Sequence, residues 1–210
     1  DYLIKVKGYS FLEAVETIVG HTAVQAPIYE KPQPENKNKP LLLPDKCASN
    51  KVITEYLFGR GIDFEIINYC IANDLIFESL PYHNIVFVGF DENREPKYAA
   101  YRSTNKQKIM GDCSGSKKDY SFQLGGGNGD EVHLFECAID LLSFATLEKM
   151  KAKNWRELSL VSLSGVYSPA KKIEDSKVPV ALQKYLSRHP NIRRIILHFD
   201  NDIAGRKAAN

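Results

Sequence analysis

The sequence lacks the features that mark a membrane or secreted protein. No apolar run approaches the roughly 20 residues that a helix needs to cross a bilayer, and no signal-peptide pattern opens the chain. The net charge of the 210 residues is only +2, which excludes a protein covered with phosphate-binding charge. Any contact with nucleic acid must therefore come from a local basic patch. These absences predict a cytoplasmic protein with no membrane partner.

Zinc-ligand spacing is also missing. The four cysteines are scattered along the chain, as Cys47, Cys70, Cys113 and Cys137. None belongs to a CxxC pair or to a Cys/His pattern typical of zinc ligands. We therefore expect reduced, mostly buried thiols of an intracellular protein, and no zinc site within these residues.

The most informative stretch that is present lies near the end of the sequence. Residues 195–199 are an apolar run that ends in Asp200-Asn201-Asp202, which predicts a short buried strand followed by a helix. Because side chains alternate along a strand, Asp200 and Asp202 can share one side if the chain stays extended. Two carboxylates this close repel unless a cation lies between them, and hard oxygen ligands suit Mg²⁺.

A second strand end of the same kind lies upstream. Residues 132–135 are apolar or aromatic and end in Glu136, and a helical run from Cys137 to about Lys149 carries Asp140. Ligand sites in open α/β sheets gather at the carboxyl ends of strands. The two strand ends are therefore candidates for one acidic site.

The remaining segments alternate in type. After Glu136 the pattern predicts a strand over 158–163, a helix over 178–187 and a strand over 194–199, which is typical of a parallel α/β sheet with crossover helices. Upstream segments are predicted as helices over 11–19, 49–58 and 63–72, and as strands over 84–90, 97–102 and 120–124, with a hairpin turn at 91–94. Residues 27–44 contain five prolines and have the composition of a linker.

Two acidic segments carry a resemblance to a known family. Residues 135–140 (Phe-Glu-Cys-Ala-Ile-Asp) and 199–209 (Phe-Asp-Asn-Asp-Ile-Ala-Gly-Arg-Lys-Ala-Ala) resemble the two signature motifs of the Toprim fold. That fold is shared by bacterial primases, type IA and II topoisomerases and some nucleases, and the spacing is most similar to the primase branch. The resemblance implies an α/β Toprim-like domain with a Rossmann-like parallel sheet, C-terminally truncated and preceded by an α+β domain.

The upstream half extends the resemblance. Residues 1–15 are similar to the segment that follows the zinc-binding module of bacterial primases, and residues 57–62 to the region before their Toprim domain. Residues 83–89 and 115–122 look like primase-related proteins of mobile elements, in which an uncharacterised domain directly precedes Toprim. We predict four parts: a helical segment after an upstream zinc module (1–26), a linker (27–46), an α+β primase-like domain (47–127) and a partial Toprim domain (128–210).

The resemblance also implies roles for the acidic residues. Glu136 would act as general acid/base or metal ligand, Asp140 would support catalysis, and Asp200 and Asp202 would hold Mg²⁺, with Mn²⁺ as an alternative. Taken singly, Glu136 also fits a strand-end carboxylate in solvent, and Asp202 a helix N-cap. The family has a further acidic motif that would lie beyond Asn210, so we expect an incomplete metal site and a poorly active fragment.

A lysine-rich stretch supplies candidate nucleic-acid contacts. Its basic residues are interleaved with tyrosines and a phenylalanine, a pattern that suits phosphate neutralisation and base stacking on single strands. A solvated lysine loop explains the same pattern equally well. The candidates are Arg102, Lys106, Lys108, Lys117 and Lys118.

The sequence thus predicts a primase-like, Mg²⁺-dependent nucleotidyltransferase of DNA replication, which acts on single-stranded DNA in the replication or transfer of a mobile element. Its expected partners are a single-stranded template, nucleoside triphosphates, and a helicase or relaxase. Two alternatives stay open: a non-catalytic nucleic-acid-binding module, and a Toprim nuclease or topoisomerase.

Overall fold

The computed structural model describes Lys7 and residues 39–127, 129–165 and 178–200. The helix predicted over 11–19, most of the predicted linker, and Asp202 with the helix after it lie outside the described residues. Residues 38–210 form one compact unit and residues 1–37 another. Within the described ranges, no helix combines the length and the apolar character that crossing a membrane requires.

The first half contains two helices and an antiparallel sheet. The helices are α1 (Lys51–Gly59) and α2 (Phe64–Ala72), and the strands are β1 (Ile76–Glu78), β2 (Ile85–Phe90), β3 (Pro96–Arg102) and β4 (Met110–Asp112). The strands are ordered β1-β2-β3-β4, and each neighbouring pair is antiparallel. Both helices and the β2–β3 hairpin were predicted. Strands β1 and β4 were not, because three residues are too few to show an alternating pattern.

The second half contains a mixed sheet of four strands. Its elements are β5 (Gln123–Gly125), β6 (Glu131–Phe135), α3 (Ala138–Met150), β7 (Ser159–Ser162), α4 (Val180–Arg188) and β8 (Arg194–His198). The order is β5-β7-β6-β8, with β6 parallel to both β7 and β8. The predicted parallel α/β arrangement is therefore confirmed for these three strands.

Strand β5 differs from the prediction. The strand expected over 120–124 was placed in the first domain, but β5 pairs antiparallel with β7 in the second sheet. A short 3₁₀ helix at Lys118–Tyr120 comes just before it. The domain boundary predicted between residues 127 and 128 stays a prediction. Strand β5 precedes this boundary in sequence but forms its hydrogen bonds with β7, which follows it.

The two halves share one hydrophobic core. Phe122 is fully buried and meets Phe87 of β2 edge to face, with the ring centroids 5.5 Å apart. The same cluster joins side chains of α1, α2, β6, α3, β7 and the 3₁₀ helix Trp155–Glu157, among them Ile53, Leu57, Ile66, Phe135, Leu142, Trp155 and Leu160. Ion pairs add to this contact, because Lys149 of α3 lies 2.6 Å from Asp63 and 2.8 Å from Glu65 at the start of α2.

Strand β8 is an edge strand, so the expectation of a buried strand is wrong. Ile195 and Leu197 are 45% and 42% exposed. The reason is that β8 pairs with β6 on one side, while no described strand pairs with its other side. An apolar run alone cannot distinguish a central strand from an edge strand.

A histidine pair, one ring from β6 and one from β8, lies on the face of the second sheet where Phe144 of α3 packs. His133 Nδ1 is 2.9 Å from His198 Nε2, and the His198 ring stacks on Phe135 at 4.7 Å. Burial lowers the pKa of both rings below the usual 6.5, and the neighbouring His133 lowers that of His198 further.

This pair predicts a loss of stability in mild acid. Since the folded state resists protonation of the two rings and the unfolded state does not, stability should hold above about pH 6.5 and fall below it. Urea midpoints between about pH 7.5 and about pH 5.5 measure the effect. Replacing both rings (His133→Gln with His198→Gln) should flatten this dependence, whereas His189→Gln should not. An equally steep fall in the double variant would contradict the assignment.

Candidate active site at the strand ends

The carboxyl ends of three parallel strands meet at one edge of the second sheet. Phe135 of β6 is in register with Ser162 of β7 and with His198 of β8. Glu136 follows β6 directly, and Asp200 comes two residues after the end of β8. The topology therefore places both acidic residues at neighbouring strand ends.

Backbone hydrogen bonds from both neighbouring strand exits hold Glu136 in place. The Asp200 N–H donates to Glu136 Oε1 at 2.8 Å, and the Gly165 N–H donates to the Glu136 carbonyl oxygen at 2.9 Å. The chain reaches the second contact through left-handed turns at Ser164 (φ 57°) and Gly165 (φ 105°). The structure thus brings Glu136 and Asp200 together, as expected. Asp202 lies outside the described residues.

Asp140 lies in the first turn of α3 and is held by a thiol. Cys137 Sγ donates a hydrogen bond to Asp140 Oδ2 at 2.9 Å. Burial raises the pKa of the Cys137 thiol to about 11, and the Asp140 carboxylate contributes to the rise. The thiol therefore stays protonated at neutral pH and remains a donor. The positive end of the α3 dipole stabilises the carboxylate in this position.

The acidic edge opens into a pocket of about 620 Å³. Its acidic wall includes Glu136, Asp140 and Asp200. The facing wall comes from the first half of the compact unit, from the end of α1, from β3 and β4, and from the 3₁₀ helix Lys118–Tyr120. That wall contains basic and aromatic side chains together with one carboxylate, namely Arg60, Tyr98, Tyr101, Arg102, Asp112 and Lys118.

Hydrogen bonds position the facing wall. Arg102 Nε donates to the Tyr56 hydroxyl at 3.1 Å, and Tyr98 donates to Asp112 Oδ1 at 2.8 Å. Lys118 Nζ lies 3.2 Å from Asp112 Oδ2. Burial raises the pKa of the Tyr98 hydroxyl well above its usual range, so Tyr98 remains a donor. The pocket is therefore lined by carboxylates from the second half and by basic and aromatic side chains from the first half, and Lys118 Nζ donates to the Ser164 carbonyl oxygen at 3.4 Å.

The structure divides the predicted basic set. Arg102 and Lys118 line the pocket. Lys117 is exposed beside it in sequence, while Lys106 and Lys108 are exposed on the β3–β4 loop and are not among the lining residues. Nucleic-acid binding by all five stays a prediction.

Arg60 was missed as a site residue. It follows α1 directly and reaches the pocket, with its guanidinium 5.9 Å from the ring centroid of Tyr56. Its segment, residues 57–62, was part of the primase resemblance, and that was the one signal that could have found it. A single arginine between two helices forms no regularly spaced sequence pattern that would mark it as a site residue.

The donor set of the pocket suits Mg²⁺ in kind. Glu136, Asp140 and Asp200 all supply carboxylate oxygens, the ligands that hard cations prefer. In the described residues these three are not gathered closely enough to count as a three-ligand group. Asp202, the fourth acidic residue of the predicted set, lies outside them. Metal binding by Glu136, Asp200 and Asp202, and the catalytic role of Asp140, stay predictions.

Comparisons with known proteins match two successive parts of the sequence. Residues 55–128 match a family model described as "Protein of unknown function (DUF3991)", and residues 133–210 match one described as Toprim-like. Residues 133–210 are a Toprim-like domain. The predicted family resemblance, and the order of a separate domain before the Toprim-like domain, are thereby confirmed.

Several solved primase structures are similar to this chain. One comes from a complex of the bacteriophage T7 lagging-strand DNA polymerase with primase domains of two gp4 subunits, an RNA/DNA hybrid and dTTP. It is 22% identical, with a TM-score of 0.48, and the match covers 72% of this chain and 69% of that chain. The DnaG primase catalytic domain bound to single-stranded DNA is 14% identical, with a TM-score of 0.47, and the match covers 75% of this chain and 56% of that chain. The Escherichia coli primase catalytic core is 13% identical, with a TM-score of 0.47, and the match covers 76% of this chain and 58% of that chain.

The chain thus spans little more than half the length of the last two structures. None of the curated proteins matches it significantly.

Proposed function

We propose that this chain provides the catalytic region of a primase-like, Mg²⁺-dependent nucleotidyltransferase that acts on single-stranded DNA. The observation that carries the proposal is the pocket between the two halves of the compact unit. Glu136 and Asp200 are held together on one wall, and Arg102 and Lys118 line the pocket with them. The Toprim-like domain supports a role in nucleic-acid chemistry.

The two walls match what phosphoryl transfer requires. Negative charge on the transferred phosphoryl group must be neutralised, and positioned cations do this. Bound Mg²⁺ would supply part of that neutralisation from the acidic wall. Arg60, Arg102 and Lys118 supply positive charge to phosphate oxygens, while Tyr101 offers a ring on which a template base can stack.

A role in replication or transfer of a mobile element belongs to the same proposal. The match of residues 55–128 to an uncharacterised family just before the Toprim-like domain agrees with the order expected of such proteins. Nucleoside triphosphates, a single-stranded template, and a helicase or relaxase are the proposed partners.

Primer synthesis tests this function. The chain is incubated with a single-stranded template, nucleoside triphosphates and Mg²⁺ or Mn²⁺, and we expect short, template-dependent products only when the metal is present. Cleavage or relaxation of supercoiled DNA, without any primer, would favour the nuclease or topoisomerase alternative.

Single-strand binding should depend on the basic residues of the pocket. Replacing Arg102→Gln and Lys118→Gln should weaken binding of a labelled oligonucleotide and reduce the salt slope by about 0.7 for each phosphate that is no longer neutralised. Fluorescence anisotropy at several salt concentrations measures both quantities.

Lys51→Gln removes one positive charge outside the pocket and is the matched control for Lys118→Gln alone. Lys51 is exposed at the first residue of α1, whereas Arg60 follows the other end of that helix, about 13 Å away. The pair Lys106→Gln and Lys108→Gln tests whether the β3–β4 loop extends the binding surface. If the pocket variant and Lys51→Gln behave alike, single strands do not bind in the pocket.

A further inference from the structure

Three metal-binding side chains meet outside the strand-end pocket. Cys47, Glu78 and His83 each offer one ligand atom, and these atoms all lie within 4.8 Å of one another. No other group of three His, Cys, Asp or Glu residues meets this condition in residues 39–127, 129–165 and 178–200. None of the three lines the strand-end pocket.

The fold brings these residues together from two separate segments. Lys46 forms an isolated antiparallel bridge with Ser79, and the Cys47 N–H donates to the Glu78 carbonyl oxygen at 2.8 Å. His83 lies on the β1–β2 loop, just after β1 ends. The sequence predicted no zinc site because Cys47 and His83 are far apart along the chain and form no ligand motif.

Glu78 is the fixed member of the cluster. Its side chain is 2% exposed, and its Oε2 accepts backbone hydrogen bonds from Val52 at 2.9 Å and Ile53 at 3.3 Å in the first turn of α1. Its Oε1 lies 2.6 Å from His83 Nδ1. Oε2 therefore accepts hydrogen bonds from the first turn of α1, and Oε1 faces His83 in the cluster.

The remaining two members can be reached from solvent. The His83 side chain is 47% exposed, and Cys47 is partly exposed. An ion could therefore enter without opening the core, and a water molecule could complete its coordination.

We propose that Cys47, Glu78 and His83 bind one Zn²⁺ ion, with water as the fourth ligand. Thiolate, carboxylate and imidazole are the ligands that zinc takes in proteins, and three protein ligands plus water is a known arrangement. The thiolate and the carboxylate together balance the charge of the ion. Binding releases the thiol proton of Cys47, and His83 binds as the neutral ring.

The three donor atoms lie near enough to one another for a single zinc ion to reach them after small movements. Zinc–ligand bonds of about 2.0 to 2.3 Å in a tetrahedron place neighbouring donor atoms about 3.3 to 3.6 Å apart. The donor atoms of the cluster span up to 4.8 Å, while the His83–Glu78 pair would have to open from 2.6 Å. Small movements of the two exposed side chains achieve both, and the helix N–H groups keep Glu78 oriented as outer partners do in metal sites.

Zinc would fasten the segment before α1 to the β1–β2 loop. It would fix the first turn of α1 through Glu78, while Arg60 follows the other end of that helix and lines the strand-end pocket. Mg²⁺ would not compete, because hard cations prefer a set of oxygen ligands. The zinc proposal is therefore independent of the proposed nucleotidyl transfer.

Cobalt substitution tests the zinc site. Titrating the metal-free chain with Co²⁺ should give a thiolate-to-cobalt charge-transfer band that saturates at one equivalent and disappears when Zn²⁺ is added. Cys47→Ser should remove the band, and His83→Gln should weaken Co²⁺ binding at least about tenfold. Zn²⁺ should also raise the melting temperature of the wild-type chain but not of Cys47→Ser.

Cys137→Ser is the matched control, since Cys137 is the other partly exposed cysteine. It should keep the cobalt band at full intensity, and so should Glu136→Gln. Circular dichroism confirms that each variant is folded. The proposal is overturned if the wild-type chain gives no thiolate band, or if the band persists in Cys47→Ser.

Discussion

Glu136→Gln should reduce primer synthesis at least about 100-fold while leaving the fold intact. Glutamine has nearly the same size as glutamate, and its carbonyl oxygen can accept the hydrogen bond that the Asp200 N–H now gives to Glu136 Oε1. What it lacks is the negative charge, which both proposed roles of Glu136 require. The measurement is the initial rate of primer formation at saturating Mg²⁺.

Glu131→Gln is the matched control. Glu131 is the first residue of β6, whereas Glu136 follows its last residue, and Glu131 forms a partly exposed ion pair with Arg194 at 2.6 Å. Glu131→Gln is the same substitution at the opposite end of β6. Its rate of primer formation should stay within about twofold of wild type, since ion pairs near the surface contribute little to stability. Equal losses in the two variants would show that Glu136 has no special role in the chemistry.

Phe122→Ala should destabilise the chain by about 3 to 5 kcal/mol. Phe122 is fully buried, packs edge to face on Phe87 and belongs to the cluster that joins both sheets. Removing the ring leaves a cavity at the junction of the two halves. Urea denaturation followed by circular dichroism and by tryptophan fluorescence measures the change, since Trp155 is in the same cluster.

The two probes should report one shared transition, because the two halves share this core. Phe58→Ala is the control, as Phe58 is 64% exposed on α1 and its loss should cost less than about 0.5 kcal/mol. Two separate transitions in the wild-type chain would mean that the halves fold independently and that the shared core does not couple them.

The sequence predicted the acidic edge of the site well. Glu136 and Asp200 each follow an apolar run that ends abruptly, and the alternation of strands and helices implies that such ends meet at one edge of a parallel sheet. Strands β6, β7 and β8 have this arrangement. Local patterns sufficed here because the placement of the two residues follows directly from strand direction.

Features that depend on distant contacts could not be predicted in this way. Arg60 lines the pocket although it follows a helix of the first half, and β5 joins the second sheet although its sequence adjoins the first. The exposure of β8 depends on which strand lies beside it. Cys47, Glu78 and His83 meet through one isolated bridge. None of these arrangements leaves a periodic signal in the chain.

Paramagnetic broadening by Mn²⁺ tests most directly the central claim that the strand ends form a metal-binding site. Mn²⁺ should selectively broaden the amide signals of Cys137, Gly165 and Asp200 at the carboxyl ends of the strands. The amides of Glu131 and Arg194, at the opposite ends and about 16 Å away along β6, should be much less affected. Glu136→Gln should weaken the effect. Broadening that is unchanged in this variant, or centred on other residues such as Cys47 and His83, would contradict a metal site at the strand ends.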